Sequence, residues 1–435
     1  NSKGIKNGFN KSLQKKIKVV YPPSLPKIKR LRKKIYQKNI FKAVCFSRLS
    51  KEKNLECAIK SFQFLKNKNI SLTIYGEGIL KNDLLSLINK LNLKNPPYFV
   101  ANSSHYQINI IPPNSVLMGY LIDGYKPTKT QFEQMTHIAI SFLRPYNSSG
   151  KVVMTPNWEN LDEVVAAAHE NNVKVIISFG GGGFKITSEL MGIEKNRRNL
   201  IKNIIIFMKK YNLDGFDCDW EPSWIDNKVE MEDINNAITY HYFKFIREFR
   251  EALDVEFGKG QKSFSAAILN LNSIWYSPFK KVAHFPKNGW WHYLDWVSLM
   301  NYDNDLGSKH ATFDSVFGDK GSVSYWTDFG IPMSKIIIGI PFYGRAGWGE
   351  EYLFYRQIVE FFPSLEENVD VVIFDKDNLG QKEYGFNGVS TVKKKVKESQ
   401  KLGIAGIMFW QIAGDLKMDH EKSLLKAISQ EFKID

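Results

Sequence analysis

In the segment Leu213-Asp214-Gly215-Phe216-Asp217-Cys218-Asp219-Trp220-Glu221, apolar and acidic residues alternate. An acidic residue occupies every second position after Phe216. Side chains of a β-strand alternate between its two faces, so Asp217, Asp219 and Glu221 share one face of the predicted strand. The opposite face carries Phe216, Cys218 and Trp220. These apolar side chains suit contact with helices, which predicts that the acidic row points into the interior of a closed sheet.

Apolar segments of similar length recur downstream of residue 115, separated by amphipathic helical patterns. The predicted strands are 116–121, 137–143, 173–179, 213–221, 263–269, 295–303, 335–342 and 403–411. Eight strand-and-helix units over about 320 residues are typical of a (β/α)8 barrel. The sequence therefore predicts an α/β fold, a TIM barrel, with 213–221 as its fourth strand. Active sites of such barrels lie at the carboxyl ends of the strands, where Glu221 ends the acidic row.

A different pattern precedes the barrel. Residues 41–47 and 70–76 are predicted strands, and the segments 54–69 and 81–93 have the apolar spacing of helices. This order of elements predicts a partial Rossmann-like βαβ segment with parallel strands.

The two patterns are separated by a segment rich in proline, asparagine and serine. Two Pro-Pro pairs lie within 96–115, and this composition disfavours both a helix and a central strand. We therefore predict an N-terminal segment at 1–95, a linker at 96–115 and the barrel at 116–435.

The composition restricts the expected partners and cofactors. The net charge is +15, but the basic run at 27–38 has no nucleic-acid-binding motif around it. Cys45, Cys57 and Cys218 are scattered and match neither a metal-ligand spacing nor a disulfide framework. Neither end of the chain has an apolar run long enough to cross a bilayer. We therefore expect a monomer that uses no metal and no cofactor and binds neither nucleic acid nor a membrane.

The acidic row is the part of the sequence that carries chemistry. Neighbouring carboxylates about 6 to 7 Å apart along one strand cannot all ionise in a low-dielectric interior, so at least one pKa rises. Glu221, the outermost, would then stay protonated near neutral pH, as a general acid for a glycosidic oxygen requires. A metal site and a structural cluster remain alternative interpretations of the row.

The attacking group is a separate question. Retaining glycosidases commonly place a nucleophilic carboxylate across the sugar from the acid, whereas Asp219 lies on the same side as Glu221. A 2-acetamido group on the substrate can attack the anomeric carbon instead and close an oxazolinium ring, with Asp219 orienting its N–H. The arrangement therefore favours N-acetylated sugars.

At these residues the sequence resembles glycoside hydrolase family 18, whose signature on the fourth barrel strand is Asp-Gly-x-Asp-x-Asp-x-Glu. Residues 214–221 match it in full. Other motifs of the family occur in the same order across 116–435. They are Ser178-Phe179-Gly180-Gly181, Met300-Asn301-Tyr302-Asp303, Gly339-Ile340-Pro341-Phe342-Tyr343-Gly344-Arg345, and Trp410 at the end of the eighth strand.

The resemblance implies catalytic roles for four residues. Glu221 would be the acid and then the base that activates water. Asp219 would bind the acetamido N–H, and Asp217 would hold the proton of Asp219 early in the cycle. Tyr302 would hydrogen-bond the acetamido carbonyl.

The resemblance also implies a set of residues around the substrate. Trp410 would stack on the sugar, and Tyr120 and Ser178 would support the carboxylates. Asp303 and Arg345 would contact the sugar or the surroundings of Glu221. The full set is Trp410, Asp303, Arg345, Tyr120, Ser178, Tyr343 and Met300. A purely structural role remains an alternative for the aromatic residues, for Ser178 and for Arg345.

The chain departs from the family pattern at the rim of the expected groove. Gly182, Gly183 and Phe184 stand where many chitinases carry a tryptophan platform, and Trp224 is a candidate replacement. Only about 60 residues separate the seventh and eighth strands, so we expect the usual α+β insertion to be reduced or absent. Processivity and chain-length preference are therefore left open.

The N-terminal segment resembles something unrelated, the nucleotide-sugar-binding half of a family 4 GT-B glycosyltransferase. The resemblance rests on 19–24, 46–62 and 71–84 and implies that Arg48 and Lys53 contact a sugar-nucleotide diphosphate. The acceptor-binding half and the later Glu-x7-Glu stretch are missing. We therefore expect a fused remnant rather than a working transferase.

These inferences predict a hydrolase of β-1,4-linked N-acetylglucosamine polymers such as chitin, with an N-acetylglucosamine oligosaccharide as its partner. The alternatives are an endo-β-N-acetylglucosaminidase that acts on N-glycans and a chitin-binding lectin without turnover. The family implies an extracellular location, although residues 1–20 lack the apolar stretch of a secretory signal.

Overall fold

This computed structural model describes residues 115–182, 188–221, 231–270, 290–303, 307–347, 352–375 and 380–432 of the C-terminal part. In the N-terminal part it describes 41–46, 70–75 and 98–100, together with the helical residues 55, 56, 59, 83, 84 and 87. The chain divides into two compact units between residues 105 and 106, and each is described by itself.

The N-terminal unit contains a small parallel sheet. Its strands are β1 (Phe41–Phe46), β2 (Ile70–Tyr75) and β3 (Tyr98–Val100), and β2 lies in the middle. The first two confirm the predicted parallel pair, with Phe41 opposite Ile70. The third, which lies within 96–115, is an edge strand, so it is compatible with a segment that disfavours a helix and a central strand. The apolar triplet Tyr-Phe-Val there pairs with 73–75 despite the prolines on either side.

The C-terminal unit is a closed barrel of eight parallel strands. They are β4 (Val116–Leu121), β5 (His137–Pro145), β7 (Lys174–Gly180), β8 (Gly215–Asp219), β9 (Ser263–Leu269), β10 (Trp296–Met300), β11 (Ile336–Pro341) and β16 (Gly406–Trp410). Pairing of β4 with both β16 and β5 closes the ring. A short strand, β6 (Val152–Met154), adds to β5 in antiparallel orientation. The predicted TIM barrel is confirmed.

Helices cover the outside of the barrel. They are α1 (Lys129–Phe132), α2 (Leu161–Glu170), α3 (Ser188–Gly192), α4 (Glu194–Lys210), α5 (Met231–Phe257), α6 (Phe313–Phe317), α7 (Ser322–Phe329), α8 (Tyr355–Phe361), α9 (Val389–Lys401) and α10 (Leu424–Glu431). Across the described ranges, none of the helices combines the length and apolar character that a membrane span requires.

Alternation along each strand divides the core into two layers. On the outside of β8, Phe216 packs among Phe245, Phe249 and Phe264, whose ring centroids lie 4.1 to 6.2 Å away. Inside the barrel, a separate cluster is formed by Met118, Ala139, Ile176, Ala267, Trp296, Ile337 and Met408, with other inward residues. Small and large side chains mix in this inner layer, so it fills the barrel and leaves the strand ends to form the site.

The segment between β11 and β16 holds a compact insertion. It contains helix α8 and the strands β12 (Tyr343–Arg345), β13 (Tyr352–Phe354), β14 (Val371–Phe374) and β15 (Lys382–Gly385), which form an antiparallel sheet. The insertion is therefore not absent, and its strands are only three or four residues long. Leu353, Ile358 and Tyr384 are buried and join the hydrophobic core on the outside of the barrel strands, which anchors these short strands.

Candidate active site

A cavity of about 300 Å³ opens at the carboxyl ends of the barrel strands. Nine predicted site residues line it: Tyr120, Asp219, Glu221, Met300, Tyr302, Asp303, Tyr343, Arg345 and Trp410. Phe142, Gly182, Ala267, Leu269 and Asn270 complete the lining among the described residues. The cavity therefore lies where the barrel fold places active sites.

The acidic row runs from the barrel interior to the cavity. Asp217 is fully buried below the lining, Asp219 is the last residue of β8, and Glu221 follows two residues later. The strand therefore ends before Glu221, although the sequence predicts that it continues to 221. Gly182 lies beside the acid, since a Cβ built on it would be 3.4 Å from Oε1 of Glu221. The outer end of the row thus lines the cavity.

Three hydroxyl groups hold the carboxylate of Asp217. Tyr120 Oη and Ser178 Oγ each donate to Oδ2 at 2.9 Å, and Ser265 Oγ donates to Oδ1 at 2.7 Å. Ser178 is fully buried and does not line the cavity, so the structure places it as a support for Asp217 and not against the substrate. Sequence reasoning missed Ser265, although it is the polar residue at an inward position of the fifth barrel strand.

Burial and mutual repulsion raise the pKa values of the acidic row. Burial, with a further contribution from the charge of Asp303, raises the pKa of Glu221 to about 7. Burial, followed by the charges of Glu221 and Asp217, holds the pKa of Asp219 well above its usual range. Burial also raises the pKa of Asp217, while its three hydroxyl partners oppose that rise. The row therefore retains protons at neutral pH, with Glu221 poised to donate one.

Asp219 has an oxygen available for a ligand. Within the described part of the chain, its Oδ1 is buried and has no hydrogen-bond partner. A buried carboxylate oxygen without a donor is unfavourable, so a donor supplied by a ligand in the cavity would stabilise it. An amide N–H of the substrate would meet this need.

The sixth strand supplies Met300, Tyr302 and Asp303 on the opposite part of the wall. Met300 is the last residue of β10, and the Tyr302 hydroxyl lies 3.9 Å from Sδ of Met408. Burial, then the charges of Asp219 and Glu221, holds the pKa of Tyr302 well above its usual value. This phenol is therefore a hydrogen-bond donor at all physiological pH values.

Asp303 and Arg345 form an ion pair across the cavity wall. Nε of Arg345 lies 2.7 Å from Oδ1 of Asp303. The guanidinium also lies over the rings of Tyr343 and Tyr352, at 5.5 and 5.9 Å from their centroids. Tyr343 and Tyr352 belong to adjacent strands of the insertion, which therefore helps to fix the position of the arginine.

Aromatic rings form one side of the cavity. The ring of Trp410 lies 5.5 Å from Tyr120 and stacks on Phe142 at 5.6 Å with an interplanar angle of 23°. Phe142 was not predicted, because in the sequence it is one of several apolar residues of the second barrel strand. Flat aromatic faces of this kind can pack against the C–H face of a pyranose ring.

Several residues singled out in the sequence cannot be placed. Gly183, Phe184 and Trp224 at the expected rim, and Arg48 and Lys53 in the N-terminal segment, lie outside the described residues.

Comparisons with known proteins identify the family of this chain. The sequence profile of glycosyl hydrolases family 18 matches residues 98–415. The class V chitinase CHIT5 of Lotus japonicus is 25% identical over 322 residues, which are 64% of this chain and 77% of that protein. A chitinase-like effector of Moniliophthora roreri is 27% identical over 60% of this chain and 63% of its own length.

Solved structures show the same barrel. A chitinase from Bacteroides thetaiotaomicron superposes with a TM-score of 0.57 at 25% identity, covering 74% of this chain and 97% of that one. A class V chitinase from Nicotiana tobaccum, solved as a mutant in complex with NAG4, has the same TM-score at 19% identity over 73% and 99% of the two chains. With its barrel, its complete acidic row and the matched profile, the chain belongs to glycosyl hydrolases family 18.

Proposed function

We propose that this protein hydrolyses β-1,4-linked N-acetylglucosamine polymers such as chitin and retains the configuration at the anomeric carbon. The observation that carries the proposal is the pairing of Glu221 with Asp219 on one side of the cavity. Glu221 has a pKa of about 7, and Asp219 presents a buried oxygen that lacks a donor among the described residues. The names of the similar chitinases support the choice of substrate.

The proposed reaction has two steps. Glu221 gives its proton to the glycosidic oxygen while the carbonyl oxygen of the substrate's acetamido group attacks the anomeric carbon. The bond to the leaving sugar breaks and an oxazolinium ring forms, whose N–H is held by Asp219. Glu221, now ionised, removes a proton from water, which attacks the anomeric carbon and opens the ring. The two inversions give net retention.

The residues around Glu221 and Asp219 fit the two steps of this reaction. Tyr302 donates to the acetamido group, Trp410 supports the sugar face, and Asp217 exchanges a proton with Asp219 as charge develops on the ring. The three hydroxyl donors to Asp217 favour its ionised form. Before the oxazolinium forms, the proton would therefore lie on Asp219, whereas the family resemblance implies that Asp217 holds it at that stage.

Product analysis on N-acetylglucosamine oligomers with resolution of the anomers tests the proposal. We expect β-anomers as initial products, and Glu221→Gln is expected to reduce kcat by about 10² to 10⁴-fold while oligomer binding is retained. Glu163→Gln, on the exposed surface of α2, is the matched control. Initial α-anomers, or full activity in Glu221→Gln, would reject the mechanism.

A binding function without turnover is the second candidate, because relatives include proteins named chitinase-like effectors. Oligomer binding without product release by the unmodified protein would favour it. Cleavage of glycoproteins in place of chitin oligomers would instead favour an endo-β-N-acetylglucosaminidase.

For the N-terminal unit we propose a remnant of a family 4 glycosyltransferase, joined to the barrel through 96–115. The parallel order of β1, β2 and β3 supports a Rossmann-like origin. Calorimetric titration with nucleotide sugars tests for retained binding, and size-exclusion chromatography with light scattering tests the expected monomer.

A further inference from the structure

His310 is buried immediately behind the cavity wall. It follows the 3-10 turn Gly307–Lys309, is 1% exposed and does not line the cavity. Its ring centroid lies 5.2 Å from that of Tyr343. The catalytic steps proposed above do not use it, and no motif in the sequence singles it out.

The ring of His310 contacts the backbone of a cavity residue. The backbone N–H of Asp303 donates to Nδ1 of His310 at 3.2 Å, and Oδ1 of Asp303 lies 3.6 Å from the same nitrogen. Asp303 has a φ of +56°, in the left-handed region that residues other than glycine adopt infrequently. A partner for its N–H therefore helps to hold a backbone conformation that is otherwise unfavourable.

We propose that His310 is a positioning residue, a neutral hydrogen-bond acceptor that holds Asp303 in its left-handed conformation and thereby fixes the carboxylate that faces Arg345 and Glu221. The expected effect of His310 on catalysis rests on the proposed function. Its effect on the pKa of Glu221 can be measured without catalysis.

The neutral form of the ring is required, because a proton on Nδ1 would face the N–H of Asp303. Burial lowers the pKa of His310 to about 4, so the ring is neutral at neutral pH and Nδ1 can accept the hydrogen bond from the N–H of Asp303. The charged and titratable groups that face this region come from five elements and their flanks. They are Asp217, Asp219 and Glu221 on and after the fourth strand, Tyr302 and Asp303 after the sixth, Tyr343 and Arg345 after the seventh, Glu383 on β15 and Lys395 on α9.

The position of the Asp303 charge matters because it contributes, after burial, to the raised pKa of Glu221. If Asp303 relaxes away, that contribution falls and the acid loses its proton at a lower pH. Arg345 also loses a fixed partner, since Asp303 holds it at 2.7 Å. Loss of His310 should therefore change both the acid and the sugar-contacting wall.

Three variants of His310 separate its role as a hydrogen-bond acceptor from the space that its ring fills. His310→Asn places an amide oxygen near the position of Nδ1, His310→Gln places it near Nε2, and His310→Leu removes it. The direct measurement is the pKa of the Glu221 carboxyl, followed by carbon-13 NMR of protein labelled at glutamate and assigned with Glu221→Gln. Thermal unfolding of each variant measures the structural contribution separately.

We expect the pKa of Glu221 to fall by at least half a unit (about threefold in the proton equilibrium) in His310→Leu and His310→Gln, and to stay at its original value in His310→Asn. The alkaline limb of kcat/KM should shift in parallel. An unchanged pKa of Glu221 in a folded His310→Leu variant, or equal shifts in all three variants, would overturn the proposal. Failure of the unmodified protein to cleave any oligomer would count against the proposed function and leave the NMR result to decide the role of His310.

Discussion

Ser265 Oγ donates to Oδ1 of Asp217 at 2.7 Å from the neighbouring strand, where the two residues stand directly opposite each other in the parallel register. Tyr120 and Ser178 occupy the other oxygen, so hydroxyls from three different strands surround one buried carboxylate. Burial opposes ionisation of Asp217, and these donors favour it. The balance decides whether the proton shared in the row lies on Asp217 or on Asp219.

Ser265→Ala tests this balance. A hydrogen bond to a charged group contributes about 1.5 kcal/mol or more, so its loss should raise the pKa of Asp217, shift the proton of the row towards it and change kcat by about tenfold. Steady-state kinetics on a chitobioside substrate measure the effect. Ser298→Ala is the matched control, because Ser298 is equally buried on the next strand and its Oγ has no hydrogen-bond partner among the described residues. Equal rates in both variants would contradict the role of Ser265.

Asp219→Asn should separate activity from folding. The amide cannot stabilise the charge of an oxazolinium ring, so kcat should fall by about 10² or more. Stability should not fall with it, because the folded-state pKa of Asp219 is raised above its unfolded value of about 3.8. Such a group costs stability as the pH rises from the unfolded pKa towards the folded one.

The melting temperature of Asp219→Asn should therefore rise relative to the unmodified protein between pH 4 and pH 7. Differential scanning calorimetry at several pH values measures it. A variant that melts lower at pH 7 than at pH 4, relative to the unmodified protein, would show that Asp219 is ionised and stabilising in the free enzyme.

The pH dependence of kcat/KM should report the ionisation of Glu221. Because the acid must be protonated and its pKa is raised to about 7, the rate constant should hold steady below that value and fall tenfold per unit above it. Rates measured from pH 5 to pH 9, with circular dichroism to verify folding, give the profile. A constant rate through pH 8.5 would mean that another group donates the proton.

Trp410→Ala should weaken the productive complex. Removal of a large aromatic contact from a binding site typically costs about 2 kcal/mol, which corresponds to about thirtyfold in kcat/KM. Trp410→Phe is the matched variant, since a phenyl ring can still stack on Phe142 and on a sugar. Rates of oligomer cleavage compare them. Equal losses in the two variants would indicate that Trp410 acts through its indole N–H instead of its aromatic face.

Much of the fold could be predicted from local patterns. All eight barrel strands lie where apolar segments with suitable spacing occur. A strand that is covered on both faces needs an apolar segment, and this requirement does not depend on which strands pair with it. The individual strands of the insertion, such as β13 and β15, were not predicted, because strands of three or four residues carry too little pattern to be recognised alone. Nine of the eleven predicted site residues line the cavity, and Asp217 and Ser178 lie beneath it.

The acidic row follows from the amino-acid sequence, since alternation along one strand places Asp217, Asp219 and Glu221 on the same face without reference to any other element. The partners of that row depend on the tertiary structure. Ser265, Phe142 and His310 reach the site from other strands and a turn, and their neighbours become close only when the barrel closes. Local spacing specifies which side a residue faces, whereas contacts between distant segments depend on register and packing across the whole sheet.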